Sequence, residues 1–302
     1  MKPWCAYALA TTILWGVWGA FTEVSEQNGF PGTLGYVAWS FTMLIPAAIS
    51  LKSDRFRIDR HRTAIYYGLW IGLTGAAGTV ALFKALAIGP AYLIFPLIAL
   101  SPVITVFMSL AFLKERTGRL GTIGVIMALV SILLFARSDP QAGQYGSGWL
   151  ALSIGIMLAW GIQAYCMKVA NRHMSSASIF FYMTICGLLF IPVTIGMTDV
   201  SRPVNWGPSG LGVAAIVQLL NAIGACTLVY AFRDGKAIIV SPMCNALAPL
   251  ITVLISLAWH QTFPDAVKGI AIFMAIAAAL CMVVDEQRAQ QPLDLVTTLD
   301  HP

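Results

Sequence analysis

The stretch that decides the organisation of this chain reads ALAIGPAYLIFPLIALSPVITVFMSLAFLKERTGR (residues 85–119). It is apolar almost throughout and is closed by a charged run that begins at Lys114. Most of it recurs as AFRDGKAIIVSPMCNALAPLITVLISL (231–257), and PVITVFMSL (102–110) matches PLITVLISL (249–257) almost letter for letter. A repeat at about half of the chain length indicates that the protein consists of two copies of one unit.

Composition places this unit in a lipid bilayer. Of the 302 residues, 58% are hydrophobic and only 10% are charged, and the mean hydropathy is +0.79. Soluble domains carry about a quarter charged residues, so this chain has too few to cover a water-facing surface. The six cysteines lie in apolar stretches without a CxxC pair, which favours a packing role. We therefore expect an integral membrane protein.

Ten segments are long and apolar enough to be spanning helices, which need roughly 20 residues each. The first could instead be a signal peptide, but it lacks a small-residue cleavage site and ends at Glu23. The predicted spans are 4–24, 33–51, 64–87, 91–113, 120–136, 149–170, 178–197, 210–232, 237–259 and 267–284.

The distribution of Lys and Arg predicts the orientation. With the N-terminus inside, the inner segments hold all but four of the 18 basic residues, the exceptions being Lys84, Arg137, Arg202 and Lys268. Such a bias marks the cytoplasmic side, so both termini are expected there. The basic loop 52–62 is then an orientation signal rather than a nucleic-acid or lipid patch.

Five spans per copy turn the second copy upside down relative to the first. The fold class expected is therefore all-α integral membrane, with ten helices as two inverted five-helix repeats: 1–137, 148–285, and a cytoplasmic tail at 286–302. Secondary transporters use this construction and place their substrate site near the midplane between the repeats. The chain has no GxxxxGK[ST] phosphate loop, which argues against ATP-driven transport by this polypeptide alone.

The first span carries Trp18, Thr22 and Glu23 after a Trp15-Gly16 pair that recurs as Trp160-Gly161. Glu23 either reaches the headgroups or faces an aqueous path, because ionisable groups within spans are costly. Lys84, near the same outer end, is its candidate ion-pair partner. In the repeat Glu23 aligns with Lys168, which is expected to be a basic residue reaching the inner surface.

Prolines and amides mark the middle of the predicted bundle. Proline inside a spanning helix frees a carbonyl and permits a bend, which predicts hinges in spans four and nine. Amide side chains on the sixth, eighth and ninth spans either bind substrate or join helices by hydrogen bonds. The hinge candidates are Pro96, Pro102, Pro242 and Pro249, and the amides are Gln163, Gln218, Asn221 and Asn245.

Nothing in the sequence predicts an enzyme or a metalloprotein. The four histidines lie in loops and the tail, and there is no nucleophile elbow or HExxH motif. We therefore expect no catalytic residues, no cofactor and no bound metal.

The TTILWGVWG opening, the ALAIGPA turn, the PLIALSPVITVFMSLAFLKER block and its counterpart SPMCNALAPLITVLISL resemble the EamA-type carriers of the drug/metabolite transporter superfamily. The resemblance covers about residues 5–284. It implies a secondary carrier whose central cavity is lined mainly by the first, third, fourth, sixth, eighth and ninth helices. One departure stands out: Lys114-Glu115-Arg116 is replaced by Gln261-Thr262-Phe263 in the second copy.

These features together predict a secondary carrier of a small polar metabolite (a sugar, nucleoside or amino acid) in a bacterial-type inner membrane. A site of aromatic and neutral hydrogen-bonding groups suits an uncharged or zwitterionic solute. Multidrug export is the alternative within the class, and a receptor or scaffold is the alternative outside it. The expected partners are the solute, the bilayer and a coupling ion for which protons are the candidate. No nucleic acid is expected, and the chain works as a monomer or a homodimer.

Overall fold

The computed structural model describes residues 2–89, 94, 97–135, 148–199, 201, 203–260 and 266–299. Within these ranges all regular structure is helical. Two π-helical turns, Ser109–Leu113 and Pro208–Gly212, adjoin α5 and α10. The α-helices are α1 Pro3–Gln27, α2 Gly32–Thr42, α3 Leu44–Ser53, α4 Arg62–Ile88, α5 Ser101–Met108, α6 Arg119–Phe135, α7 Gly148–Ala170, α8 Ser176–Leu189, α9 Ile191–Gly196, α10 Val213–Asp234, α11 Ala237–His260 and α12 Ala266–Leu299.

Six helical stretches are long and apolar enough to cross a membrane. They contain α1, the α2–α3 pair, α4, α7, the α8–α9 pair, and α10 with its π-helical turn. Four shorter apolar helices, Ser101–Leu113, Arg119–Leu134, Ala237–Thr252 and Gly269–Asp285, lie in the other four predicted spans. A polytopic, all-helical membrane protein follows from the described residues.

Prolines explain where the predicted spans are interrupted. Pro46 lies in the first turn of α3 and Pro192 in the first turn of α9, directly after the breaks at Met43 and Phe190. In span four a turn at residues 99–100 precedes α5, so Pro102 lies in the first turn of α5 rather than inside a helix that runs through the span, and its role as a hinge stays a prediction. Proline is well tolerated there, since its missing N–H would have had no partner in the helix.

The last helix also differs from the expectation. The last span was predicted to end at residue 284, and helix α12 continues beyond it to Leu299. The six residues directly after Asp285 read EQRAQQ (286–291), and all of them are good helix formers.

The two halves of the chain make equivalent contacts where helices cross. Thr252 on α11 donates its hydroxyl to the carbonyl of Gly16 on α1, with an O–O distance of 2.9 Å. Thr105 on α5 donates to the carbonyl of Gly161 on α7 at 3.0 Å. Thr105 and Thr252 occupy the same position in the matched segments, and Gly16 and Gly161 follow the repeated tryptophans. The sequence repeat is therefore also a repeat of packing.

A second pair of equivalent contacts involves the repeated tryptophans. A methyl group built on Gly224 of α10 would lie 2.7 Å from Nε1 of Trp15, and one built on Gly78 of α4 would meet Nε1 of Trp160. Each tryptophan ring thus lies directly over a glycine of the neighbouring helix. Small residues allow this close approach of helices within a membrane.

Candidate functional site

Two of the predicted site residues form a polar pair on α10. Nδ2 of Asn221 donates to Oε1 of Gln218 at 3.5 Å, and both side chains are half-buried. Nε1 of Trp15 on α1 donates to the backbone carbonyl of Asn221 at 3.4 Å. Nε2 of Gln218 lies 3.5 Å from where a methyl group on Gly35 of α2 would be. The pair therefore lies where α10 meets α1 and α2, with amide donors left for a further partner.

Gln163 lies in a different contact. Its Nε2 donates to the backbone carbonyl of Ile71 at 3.0 Å, and its amide packs over Gly75 of α4. The side chain therefore joins α7 to α4, which was one of the two roles that the sequence left open for an amide in a spanning helix. Its half-buried Oε1 has no hydrogen bond within the described residues.

Asn245 occupies the middle of α11, between the two prolines in this helix. Its Nδ2 donates to the carbonyl of Ser241 at 2.9 Å, one turn earlier. Pro249 cannot donate to the carbonyl of Asn245, so this backbone acceptor lacks its usual helical partner. Pro242 and Pro249 lie inside the helix as the sequence predicts, and they flank a place where backbone and side chain both offer polar atoms.

Trp18 and Thr22 lie on the last two turns of α1 and are half-buried. The indole N–H of Trp18 is buried and has no hydrogen-bond partner within the described residues. A buried donor without a partner is costly, and an acceptor from a bound solute or water would satisfy it. Trp18 therefore stays a candidate for contact with substrate.

The predicted ion pair is not tested. Lys84 is exposed near the end of α4, whereas only the backbone of Glu23 lies within the described residues. Pro96 falls outside the described residues altogether.

Burial changes sharply along α11. Every residue from 237 to 244 is buried, whereas Asn245 and several residues after it are half-buried. Around the first residues of α11, Trp4 and Ala8 of α1 belong to the same core as Ile238, and they are 4% and 0% exposed. We call the packed segment 237–244 the closed end. The closed end is sealed by the side chains packed on it.

Sequence reasoning missed two carboxylates beside the closed end. Oε2 of Glu115 accepts the backbone N–H of Ile238, in the first turn of α11, at 3.1 Å. Oδ2 of Asp285 on α12 accepts the hydroxyl of Thr117 at 2.8 Å and the backbone N–H of Gly118 at 2.7 Å. Glu115 lies in the charged run that closes the first repeated segment. Its replacement by Thr262 in the second copy was the sequence signal that could have identified it.

The environment of Glu115 makes its charge costly. The residue is buried, and this burial raises the pKa of its carboxyl above the ordinary value. The hydrogen bond from Ile238 and the nearby cations Lys168 and Arg172 act in the opposite direction and do not fully offset the burial.

The described residues contain no group of three His, Cys, Asp or Glu side chains that could hold a metal ion. The arrangement consists of apolar spanning helices, a few neutral polar groups between them, and one sealed end. Such an arrangement is that of a multi-pass membrane protein with polar groups inside its helical bundle.

Comparison with known families gives the particular class. The model of the EamA-like transporter family matches residues 2–137 and 147–284, so the chain belongs to the EamA-like transporter family. The resemblance found in the sequence is thereby confirmed.

Relatives agree with this assignment. The chain is 21% identical over 296 residues to the uncharacterized transporter YojE of Bacillus subtilis, covering 95% of each protein. It is 23% identical over 207 residues to the probable magnesium transporter NIPA7 of Arabidopsis thaliana, covering 62% of this chain and 63% of that one. A solved crystal structure superposes with a TM-score of 0.74 at 16% identity, covering 94% of this chain and 98% of the other, which establishes the fold.

Proposed function

We propose that the chain is a secondary active carrier that moves a small polar metabolite across the inner membrane by alternating access. Its ten spans would form two inverted repeats, 1–137 and 148–285, with both termini and the segment 286–302 in the cytoplasm. The proposed solute is uncharged or zwitterionic, such as a sugar, a nucleoside or an amino acid.

One observation carries this proposal: the halves make equivalent contacts, and the start of α11 is sealed by the side chains packed on it. The Thr252–Gly16 and Thr105–Gly161 hydrogen bonds occur at equivalent crossings, and the buried segment 237–244 seals the start of α11. If equivalent halves can exchange their roles, the same chain has a second packing that is sealed at the other end. Inverted-repeat carriers operate through two such states.

The chemistry of the interior supports a neutral or zwitterionic solute. Asn221, Gln218 and Asn245 are half-buried on spanning helices, where polar groups face the bundle interior or an aqueous path rather than lipid. Their amides donate and accept, and Trp18 adds a buried donor. Aromatic faces and neutral amides together suit sugars, nucleosides and amino acids.

Relatives named as magnesium transporters make Mg²⁺ the competing cargo to be tested. Mg²⁺ takes carboxylate and water oxygens, and the amides considered above offer only neutral oxygens. An exporter of cationic drugs would similarly be expected to use a carboxylate deep in the pathway.

Proteoliposome transport decides between these cargoes. The purified chain would first be screened for solutes that raise its melting temperature, since a ligand of the folded state stabilises it. Saturable uptake of the hits, loss of affinity in Asn221→Ala and Asn245→Ala, and unchanged uptake in the exposed-residue control Thr63→Val are expected. Saturable Mg²⁺ uptake with no organic solute transported would refute the proposed cargo, and no transport at all would favour a receptor.

Orientation and coupling are tested separately. Reporter fusions at the two termini should both report the cytoplasm, and opposite locations would exclude two five-span repeats. If protons are the coupling ion, uptake should follow an imposed pH gradient and be abolished by a protonophore.

A further inference from the structure

Residues 114–119, which link α5 to α6, contact the second half of the chain at the closed end. Glu115 accepts the N–H of Ile238 at 3.1 Å, and Nζ of Lys236 donates to the carbonyl of Arg116 at 3.2 Å. Asp285 accepts from the N–H of Gly118 at 2.7 Å. We call these contacts of 114–119 the clasp. It joins the first half to the second through side chains from both.

Each of the two carboxylates accepts a backbone N–H at the start of a helix that belongs to the other half of the chain. Glu115 of the first half accepts an N–H from the first turn of α11, which belongs to the second half. Asp285 of the second half accepts the N–H of Gly118, directly before α6 of the first half. The first N–H groups of a helix have no partner inside it, and carboxylates are favourable there. Both contacts would be lost if the halves moved apart at this end.

The local backbone aims Glu115 at α11. The π-helical turn Ser109–Leu113 ends α5, and Lys114 follows in the left-handed region with φ of 53°. The N–H of Glu115 returns to the carbonyl of Ser109 at 3.1 Å. This reversal carries the side chain towards the first turn of α11. A left-handed residue other than glycine costs roughly 1–2 kcal/mol, so the surrounding contacts hold it in place.

The clasp lies directly over the closed end. Ile238 is the second residue of the buried segment 237–244, and Cys244 at the far end of that segment is fully buried. Solute can leave through this end only if α11 separates from the residues packed on it, and Glu115 is bonded to the first turn of that helix. The position makes the clasp part of the barrier.

The second copy does not carry the same carboxylate. The triplet aligned with Lys114-Glu115-Arg116 is Gln261-Thr262-Phe263. A latch that uses a carboxylate is therefore encoded for one end of the molecule only, although the helices that it joins are repeated. This difference distinguishes the clasp from the packing that the two halves share.

We propose that the clasp is a one-sided latch: its release is required for the closed end to open, and it sets the rate of the transition to the inward-open state. The inference rests on the proposed carrier function, in which the closed end is the cytoplasmic gate. The cations near Glu115 are Lys168 on α7 and Arg172 just after α7, and Lys236 before α11 donates to the backbone carbonyl of Arg116 in the clasp.

Cys244 provides a reporter for the opening of this end. In a background in which the other cysteines are replaced by Ala, the rate at which a water-soluble maleimide labels Cys244 measures how often the closed end opens. The replaced positions are Cys5, Cys166, Cys186, Cys226 and Cys281. Labelling is measured at constant pH on the purified full-length chain, so that the ionisation of the thiol is the same in every variant.

Glu115→Ala removes the acceptor and is expected to increase the labelling rate roughly tenfold or more, because a hydrogen bond to a charged group contributes about 1.5–3 kcal/mol. Glu115→Gln keeps an acceptor oxygen and should stay within about threefold of the parent. The matched control is Asp54→Ala, which removes a half-buried carboxylate that makes no side-chain hydrogen bond within the described residues. Asp285→Asn tests the second carboxylate should Glu115→Ala not fold.

The outcomes separate the latch from the carrier function. Labelling of Glu115→Ala and Asp285→Asn at the parent rate would overturn the latch, even if transport were demonstrated. An increased rate of labelling with no solute transported would support the latch as a conformational element and refute the carrier proposal. An equal increase in Asp54→Ala would show a general loosening and would also overturn the latch.

Discussion

Replacing Gly161 by alanine tests whether the repeated helix crossing stabilises the protein. The added Cβ would lie 2.6 Å from Cβ of Ile104 and 2.7 Å from the carbonyl oxygen of Ser101, whereas ordinary contact begins at 3.4 Å. Helices α5 and α7 would therefore have to separate by roughly 0.7 Å at this point. Overpacking of this kind costs about 1–3 kcal/mol.

Gly155 provides a control within the same helix. A Cβ built there meets nothing within 4 Å, so Gly155→Ala should raise stability by about 0.5–1 kcal/mol through helix propensity alone. Since this gain applies to both variants, their difference isolates the packing cost of about 1–3 kcal/mol. Gly16→Ala should cost a similar amount, because its Cβ would meet Ile251 on α11 in the equivalent way.

Unfolding in mixed micelles of SDS and a mild detergent, followed by circular dichroism, measures these free energies. The expected order is Gly155→Ala above the parent, with Gly161→Ala and Gly16→Ala below it by similar amounts. If Gly161→Ala were as stable as Gly155→Ala, the close crossing would not exist in the folded protein. A large loss in only one of Gly16→Ala and Gly161→Ala would contradict the equivalence of the two halves.

Three further predictions concern hydrogen bonds and charge. Thr105→Val and Thr252→Val should each lower the unfolding free energy by about 0.6–1.7 kcal/mol in the same assay, whereas Thr122→Val, at an exposed site, should leave it unchanged. Gln163→Leu should lower stability by about 1 kcal/mol and leave the KM of the transported solute unchanged, because its amide N–H already bonds α4; an increased KM with unchanged stability would contradict this. Burial raises the pKa of Glu115, so the closed state binds a proton more tightly than a state in which this carboxyl is in water. Closure should therefore strengthen as pH falls through the raised pKa towards the ordinary value, and weaken as pH rises. The measurement is the labelling rate of Cys244 in the parent divided by the rate in Glu115→Gln, because this ratio cancels the ionisation of the thiol. The ratio should fall on acidification, and a rising ratio would show the opposite sign.

Much of the fold could be predicted because lipid leaves few alternatives. Long apolar runs must be helical in a bilayer, since every backbone group has to bond internally. The matched segments around Thr105 and Thr252 likewise indicated a repeat, and their hydroxyls make the same contact in each half. Helix ends were predicted less well. Helix α5 begins at Ser101, directly before Pro102, and α12 runs to Leu299, because local caps and tertiary contacts decide where a helix starts and stops.

The candidate site was less accessible to sequence reasoning. An amide in a spanning helix can bind a solute or a neighbouring helix, and only the direction of the side chain distinguishes these roles. Gln163 points to the carbonyl of Ile71, whereas Gln218 and Asn221 lie together with a free amide edge. Periodicity predicted that the latter two share a face of α10, but it carries no information on which neighbouring helix that face meets.

The most informative sequence feature was a difference between the copies. A perfect repeat would give two ends with equal tendencies to open, so any preference for one state must come from residues that the copies do not share. Glu115 is such a residue, because its partner position holds Thr262 and its carboxylate reaches the first turn of α11 at the end that is sealed. A repeat therefore specifies the pair of states between which a carrier moves, and departures from the repeat specify which state it occupies at rest. If the chain is a carrier of the proposed kind, we expect substitutions of Glu115, rather than of the matched core of the two halves, to shift its resting state.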